Sequence, residues 1–213
     1  MKKSQILSAN PLVAIYDDVF DEATANAAIA AGEGRLQRAP YLTREGSVTG
    51  DKRTNDQALI DQWSVPELSE LVTKVSSIVR LPPENCEPVK LLRYEGEQIF
   101  DVHNDGFPDE AAFHEALGKG GQRLFTTLCY LCDVDSEGQT AFPMLKIAVR
   151  PKLGRVLLFS NTIPGTVVPF EDSKHVGFGV PGGTKWVLSL WWRERHYHEP
   201  RTYPETEGEF VEY

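Results

Sequence analysis

The chain has 213 residues, 41% of them hydrophobic, which suits one medium domain with a sizeable core. Acidic residues outnumber basic ones 31 to 22, and the net charge of -9 argues against a surface built to neutralise phosphates, and so against nucleic acid as a partner. Overall acidity favours basic peptides through long-range attraction, an effect that salt screens.

The first segment, "MKKSQILSANPLVAIYDD", carries two lysines, but Ser4, Gln5, Ser8, Asn10 and Pro11 break its apolar run. It lacks the continuous apolar region of a secretory signal, and no later run is long enough to span a bilayer, so a cytoplasmic protein without a membrane partner is expected. "DEATANAAIAAGEG" reads as a helix with Asp21 as N-cap and a stop at Gly32 and Gly34. "LQRAPYLTREGSVTGDKRTNDQ" is rich in Gly, Thr and charge and reads as a mobile loop or irregular hairpin. A second helix follows in "SVPELSELVTKVSSIVRLPP": Ser64 can cap it and Pro66 suits its first turn. Leu68, Leu71, Val72, Val75 and Val79 form one apolar stripe before Pro82 and Pro83 end it. Residues 1–85 are thus expected as helical support.

From Glu87 the pattern changes to short β-rich runs: "PVKLLRY", "QIFDVH", "RLFTTLCYL", "TAFPML", "KIAVRP", "RVLLFS", "KHVGFGV" and "TKWVLSLWW". Many short strands without long intervening helices imply antiparallel sheets closed into a sandwich or jelly roll, with the helices covering one sheet from outside. The expected whole is a single α+β, mainly β domain, with a jelly-roll core over 87–195 and a loose acidic tail over 196–213. Cys129 and Cys132 form a C-x-x-C, but in a strand their odd spacing sends them to opposite faces; buried packing in a reducing compartment is the better reading. His196 and His198, beyond the last strand in a charged segment, read as solvated, and His114 is assigned no function.

"FDVHNDGF" sets His103 and Asp105 two positions apart, which on an extended strand puts an imidazole and a carboxylate on one side. Alone, the pair is a weak metal signal and reads more readily as a polar strand end running into a turn. His175 in "EDSKHVGFGV" is a third candidate, since two histidines and a carboxylate on one face of an octahedral ion leave positions open for chemistry; its bland alternative is an ordinary satisfied histidine. In "GGTKWVLSLWWRER" alternation places Lys185, Val187, Ser189, Trp191 and Arg193 on one face and Trp186, Leu188, Leu190 and Trp192 on the other. A lysine pointing into a barrel mouth needs an anionic partner to offset its desolvation.

From Leu91 to Arg193, "LLRYEGEQIFDVHND", "GGQRLFTTLCYL", "EGQTAFP", "VRPKLGRVLLFSN" and "SKHVGFGVPGGTKWVLSLWW", in that order, resemble the prolyl 4-hydroxylase branch of the 2-oxoglutarate and Fe(II)-dependent dioxygenases. "KRTNDQ" resembles, more weakly, a substrate-side motif of that family. The resemblance implies a double-stranded β-helix. It makes His103, Asp105 and His175 the iron ligands and catalytic centre, and Lys185 the anchor for the distal carboxylate of 2-oxoglutarate. Tyr94 and Thr140 would complete the cosubstrate pocket, and Arg53, Arg123 and Trp191 would face the substrate.

The activity so implied couples oxidative decarboxylation of 2-oxoglutarate by O2, giving succinate and CO2, to hydroxylation of a proline-containing peptide, with ascorbate as an optional reductant. A carboxylate at Asp105 favours hydroxylation over halogenation, because a halide needs that coordination site. Four residues depart from the family pattern: Phe100 stands for a tyrosine, Glu137 for a glycine, Gly179 for a proline and Arg193 for a histidine found in some members. They bear on the substrate and leave the iron triad untouched. A free amino acid is therefore the rival substrate, and a non-catalytic jelly-roll binding module is the rival of another class.

Overall fold

The computed structural model describes residues 4–108 and 110–199, so the tail beyond Glu199 lies outside the described residues. In chain order the elements are β1 (Ser4–Ala9), β2 (Leu12–Tyr16), α1 (Glu22–Gly32), β3 (Gln37–Arg38), β4 (Tyr41–Thr43), β5 (Gly46–Val48), β6 (Asp56–Ile60), α2 (Pro66–Val79) and β7 (Val89–His103). Then come α3 (His114–Gly118), β8 (Arg123–Tyr130), β9 (Thr140–Phe142), β10 (Ile147–Val149), β11 (Val156–Ser160) and β12 (His175–Arg193).

The main sheet runs β1-β2-β11-β8-β12-β7-β6-β3, with β9 joining β12 and β10 joining β9, and every pairing is antiparallel. β7 and β12 form one long ribbon whose register shifts between His175 and Thr184. Bulges of this kind bend a ribbon, which is how the two strands serve both walls of a double-stranded β-helix. The runs expected as separate strands on either side of Glu95–Glu97 and of Pro181–Gly183 are therefore single bent strands. Gly179 sits in this bend: a Cβ there would run into the carbonyl oxygens of Gly96 and Gln98, which explains why a side chain is absent.

Alternation sorts the core into two clusters. Leu91, Cys129, Leu158, Leu188, Leu190 and Trp192 face outward beneath the helices, against the predicted α2 stripe of Leu68, Leu71, Val72, Val75 and Val79. Leu92, Tyr94, Leu128, Tyr130, Leu157, Phe159 and Val187 face the barrel interior. Each buried α2 aliphatic contributes about 1.5–3 kcal/mol, enough to hold a helix that isolation would leave marginal.

The N-terminal third differs from the helical support expected of it. β1, β2, β3 and β6 all join the main sheet, because "LVAIY" is a short apolar run buried at Val13 and Ala14 rather than part of a helical stripe. Asp21 does cap α1, accepting from the Thr24 amide at 3.0 Å. Ser64 does not cap α2; its hydroxyl donates to the Asp61 carbonyl at 2.7 Å inside a short 3-10 turn, and Val65 is the N-cap. The charged stretch before β6 is a hairpin, β4–β5. The C-x-x-C cysteines are free thiols, Cys129 fully buried and Cys132 half-buried with its sulfur 3.3 Å from the Trp186 amide.

Glu137 adopts φ 35°, a left-handed conformation that costs a residue with a Cβ about 1–2 kcal/mol. Glu137→Gly should therefore raise the thermal midpoint by about 2 °C, allowing for the extra freedom that glycine gives the unfolded chain. Glu137→Ala, which keeps the Cβ, should not reproduce that gain in the same thermal melt.

Candidate active site

His103 closes β7, His175 opens β12, and the two are direct register partners across the ladder. Asp105 lies two residues beyond the end of β7, so a bend delivers its carboxylate, where strand alternation had been expected to do so. One ligand atom from each of the three comes within 4.8 Å of the others. His103 Nε2 lies 3.6 Å from Asp105 Oδ1, and His175 Nε2 lies 3.7 Å from Oδ2.

The far nitrogens fix the tautomers. His103 Nδ1 is 2.7 Å from the Asp101 carbonyl and His175 Nδ1 is 3.2 Å from the Ser173 carbonyl. A carbonyl only accepts, so each Nδ1 carries the proton and each Nε2 turns its lone pair to the centre. Burial, followed by the neighbouring imidazole, pushes His103 down to about 3, and burial lowers His175 as well. Both rings are thus neutral near pH 7. Burial opposes ionisation of Asp105, but the facing histidines, Arg123 and the Thr126 hydroxyl outweigh it and hold the carboxyl well below its ordinary range. Thr126 donates to Asp105 Oδ2 at 2.7 Å and accepts from Asn161 at 2.9 Å. Phe100 stacks on His103 at 3.4 Å, and Phe159 meets His175 edge-on at 4.5 Å. Two neutral imidazoles and one carboxylate, buried and held from behind, suit a divalent first-row metal with positions left open.

Lys185 pairs across the ribbon with Tyr94, and its ammonium lies 4.1 Å from the Tyr94 ring. The side chain is 1% exposed. Its hydrogen bonds go only to the carbonyls of Gly138, at 3.0 Å, and Phe178; among the described residues no carboxylate forms an ion pair with it. Burial pushes it down to about 7, and pushes the Tyr94 hydroxyl up to about 12. Thr140 Oγ1 accepts from the Tyr130 hydroxyl at 2.9 Å.

A single small cavity is lined by His103, Asp105, His175, Tyr94, Thr140 and Lys185, together with Arg53 and Trp191. Every expected metal and cosubstrate residue is therefore in one place. The cavity shares Arg53, Phe100, His103, Asp105 and Trp191 with a larger, open outer cleft, where Arg123 lies. Arg53 is buried, donating to Asn55 at 3.0 Å and to the Pro40 carbonyl at 2.9 Å, with its guanidinium 4.1 Å from the Phe100 ring. Arg123 stacks 3.5 Å from the Trp191 ring and is held by both oxygens of Glu87 at 2.6 and 2.9 Å. His196 and His198 are exposed and form no metal cluster among the described residues.

The sequence model of the 2OG-Fe(II) oxygenase superfamily matches residues 89–193, which span both strands of the bent ribbon and the whole triad. Prolyl 4-hydroxylase 2 of Arabidopsis thaliana is 30% identical over 89% of this chain and 69% of its own length. This chain belongs to the prolyl 4-hydroxylase branch of that superfamily. Its fold agrees with that of the viral collagen prolyl hydroxylase of Paramecium Bursaria Chlorella virus-1 in its 2OG complex, at a TM-score of 0.62 and 24% identity over 85% of this chain and 94% of the other. It also agrees with a Trichoplax adhaerens prolyl hydroxylase in complex with a hypoxia inducible factor peptide, at 0.60 and 16% identity over 85% and 83%. As a member of this branch the chain is a dioxygenase that takes Fe(II) and 2-oxoglutarate, and the binding-module alternative falls away.

Sequence reading missed what supports the triad. Thr126 and Asn161 carried no motif; the available signal was a threonine on the same face as the interior Leu128 and Tyr130. Glu87, which locks Arg123, also pairs with Arg193 at 2.6 Å. Arg193 is 2% exposed and donates to the carbonyls of Ala116 and Gly121, so it braces the α3 segment from within the cleft wall.

Proposed function

We propose that the chain hydroxylates a prolyl residue within a peptide, with His103, Asp105 and His175 holding the iron and Lys185 anchoring the distal carboxylate of 2-oxoglutarate. The observation that carries this reading is the buried ammonium of Lys185, which has no carboxylate partner among the described residues and shares a cavity with three convergent metal ligands. The bound metal, with 2-oxoglutarate and O2, supplies the oxidising power. Lys185 and the Tyr94 hydroxyl orient the diacid, Thr140 lines its berth, and the neutral Nε2 atoms are kept aimed by the carbonyls of Asp101 and Ser173. Phe100, Phe142 and Phe159 around the two imidazoles exclude water from the reacting centre.

The outer cleft favours a peptide over a free amino acid, because the β4–β5 hairpin forms one of its walls and residues 104–108 and 112–119 contribute another. Arg44 at the hairpin tip donates to Glu110 through Nε and Nη2, at 2.7 and 3.0 Å. This pair is solvent-exposed and weak enough to open, which suits a hairpin that closes over an extended polyproline II segment. Arg53, Arg123 and Trp191 then contact that segment. The free thiols suit a reducing compartment, in keeping with a cytoplasmic site of action.

The test is succinate release by iron-loaded protein, with ascorbate as reductant, on a proline-rich peptide and on free proline. Peptide-dependent succinate and a hydroxyproline mass shift are expected. Succinate formed with free proline alone assigns the cleft to a small molecule.

A further inference from the structure

The cleft wall beside the metal site is cationic, although the chain as a whole is acidic. Arg53, Lys90, Arg123 and Arg193 line it against one carboxylate outside the triad, Glu87. Glu87 is already shared between Arg123 and Arg193. Arg53 is bonded only to neutral acceptors. The more exposed Lys52 and Lys119 are matched at the cleft by Asp101 and Glu115 and add no excess. Three positive charges therefore remain uncompensated along one wall.

Lys90 is the free member of this set. It shares the inward face of β7 with Leu92 and Tyr94, and its register partner on β12 is Ser189, which also lines the inner cavity. Its ammonium lies 4.2 Å from the ring of Trp191, the same ring that Arg123 stacks on. Among the described residues it makes no hydrogen bond and no ion pair. Burial, followed by the neighbouring Arg123, depresses it to about 7, the behaviour of a cation kept short of an anion. Unlike the indole Nε1 of Trp191, which is buried without an acceptor among the described residues, the half-buried Lys90 ammonium can be reached from the cleft. An unpaired ammonium lining the cleft suits an anionic oxygen group.

We propose that Lys90, with Arg123 beside it, is a specificity-determining cation that receives a carboxylate of the prime substrate next to the carbon to be hydroxylated. This deepens, and rests on, the assignment of the cleft to a prolyl substrate. The carboxylate comes from an acidic side chain flanking the proline. A terminal α-carboxylate offers the same chemistry, and the experiment separates the two.

The experiment measures binding by calorimetry to the full chain loaded with Mn(II) and 2-oxoglutarate, so that no turnover is needed. The probes are end-blocked peptides with Glu, Gln or Lys beside a central proline, and one peptide ending in a free prolyl carboxylate with its amidated twin. The Glu peptide should bind about tenfold tighter than the Gln peptide. Lys90→Glu should reverse the order, favouring the Lys peptide, while Lys90→Gln should bring the Glu-to-Gln ratio near one; thermal melts establish that each variant is folded. A charge preference confined to the terminal carboxylate, and reversed by Lys90→Glu, keeps the carboxylate site but defeats the internal prolyl reading. Equal binding of Glu and Gln peptides together with equal binding of the terminal pair, or a preference that survives in both variants, overturns the proposal.

Discussion

Lys185→Met is expected to weaken 2-oxoglutarate binding by at least about 100-fold and, at the same time, to raise the thermal midpoint of the chain measured without ligand. The first effect follows from removing one partner of a desolvated charge pair, which costs about 2–5 kcal/mol. The second follows from the site itself: Lys185 is 1% exposed, and among the described residues its ammonium is offset by the carbonyls of Gly138 and Phe178 and the Tyr94 ring, with no carboxylate. A thioether of similar length fills the space without that penalty.

The pH dependence supplies the sign. The unfolded chain keeps the Lys185 proton up to the ordinary lysine range, whereas the folded chain releases it above about 7. Between those values the unfolded state binds more protons, so stability rises with pH and the penalty fades. The advantage of Lys185→Met should accordingly be largest at or below about pH 7 and shrink towards pH 10. The diacid needs the charged form, so its binding to the Mn(II)-loaded parent should take up a proton above about pH 7, seen as a binding enthalpy that varies with the buffer. Unchanged affinity in Lys185→Met would remove the anchor from the mechanism.

Some of this was legible in the residues and some was not, for physical reasons. The alternation from Lys185 to Arg193 separated interior from exterior correctly, because a half-buried antiparallel strand writes its two faces at every second position. The α2 stripe was equally plain. The triad was not, since His103 and His175 meet only through the register of β7 with β12, and nothing local links them; only the ordered blocks of family resemblance brought them together. Glycines at 96, 182 and 183 fell between expected strands, and Gly179 read as a missing proline, although here the four lie where one ribbon bends. Ser64 was chemically able to cap α2, but Asp61 claimed the preceding turn. Net charge pointed to basic peptides, whereas the cleft wall is locally cationic. Composition averages over a surface, and a substrate meets only the groups that line its site.

The same logic of an uncompensated charge applies to the metal ligands and sets the second large expectation. Asp105→Ala should lower 2-oxoglutarate turnover by at least about 10³-fold, since the rest of the triad, two neutral imidazoles, supplies no charge to balance a divalent ion. Its stability should be nearly insensitive to metal, unlike that of the parent. Without metal, the parent carries a buried carboxylate that Thr126 and its neighbours hold ionised below its ordinary range, so the folded state favours it and removing it should leave the thermal midpoint equal or lower. With Mn(II) at a hundred times its dissociation constant the parent should gain about 2.7 kcal/mol, or roughly 5–10 °C, and the variant close to nothing. Thr126→Val should fall between, with metal affinity lowered about 10- to 100-fold, because Asp105 loses the hydroxyl that orients it. The gap between the melting curves of parent and Asp105→Ala should therefore widen when metal is added. An identical Mn(II)-induced shift in parent and Asp105→Ala would place the ion away from this carboxylate and leave the three convergent side chains without their assigned task.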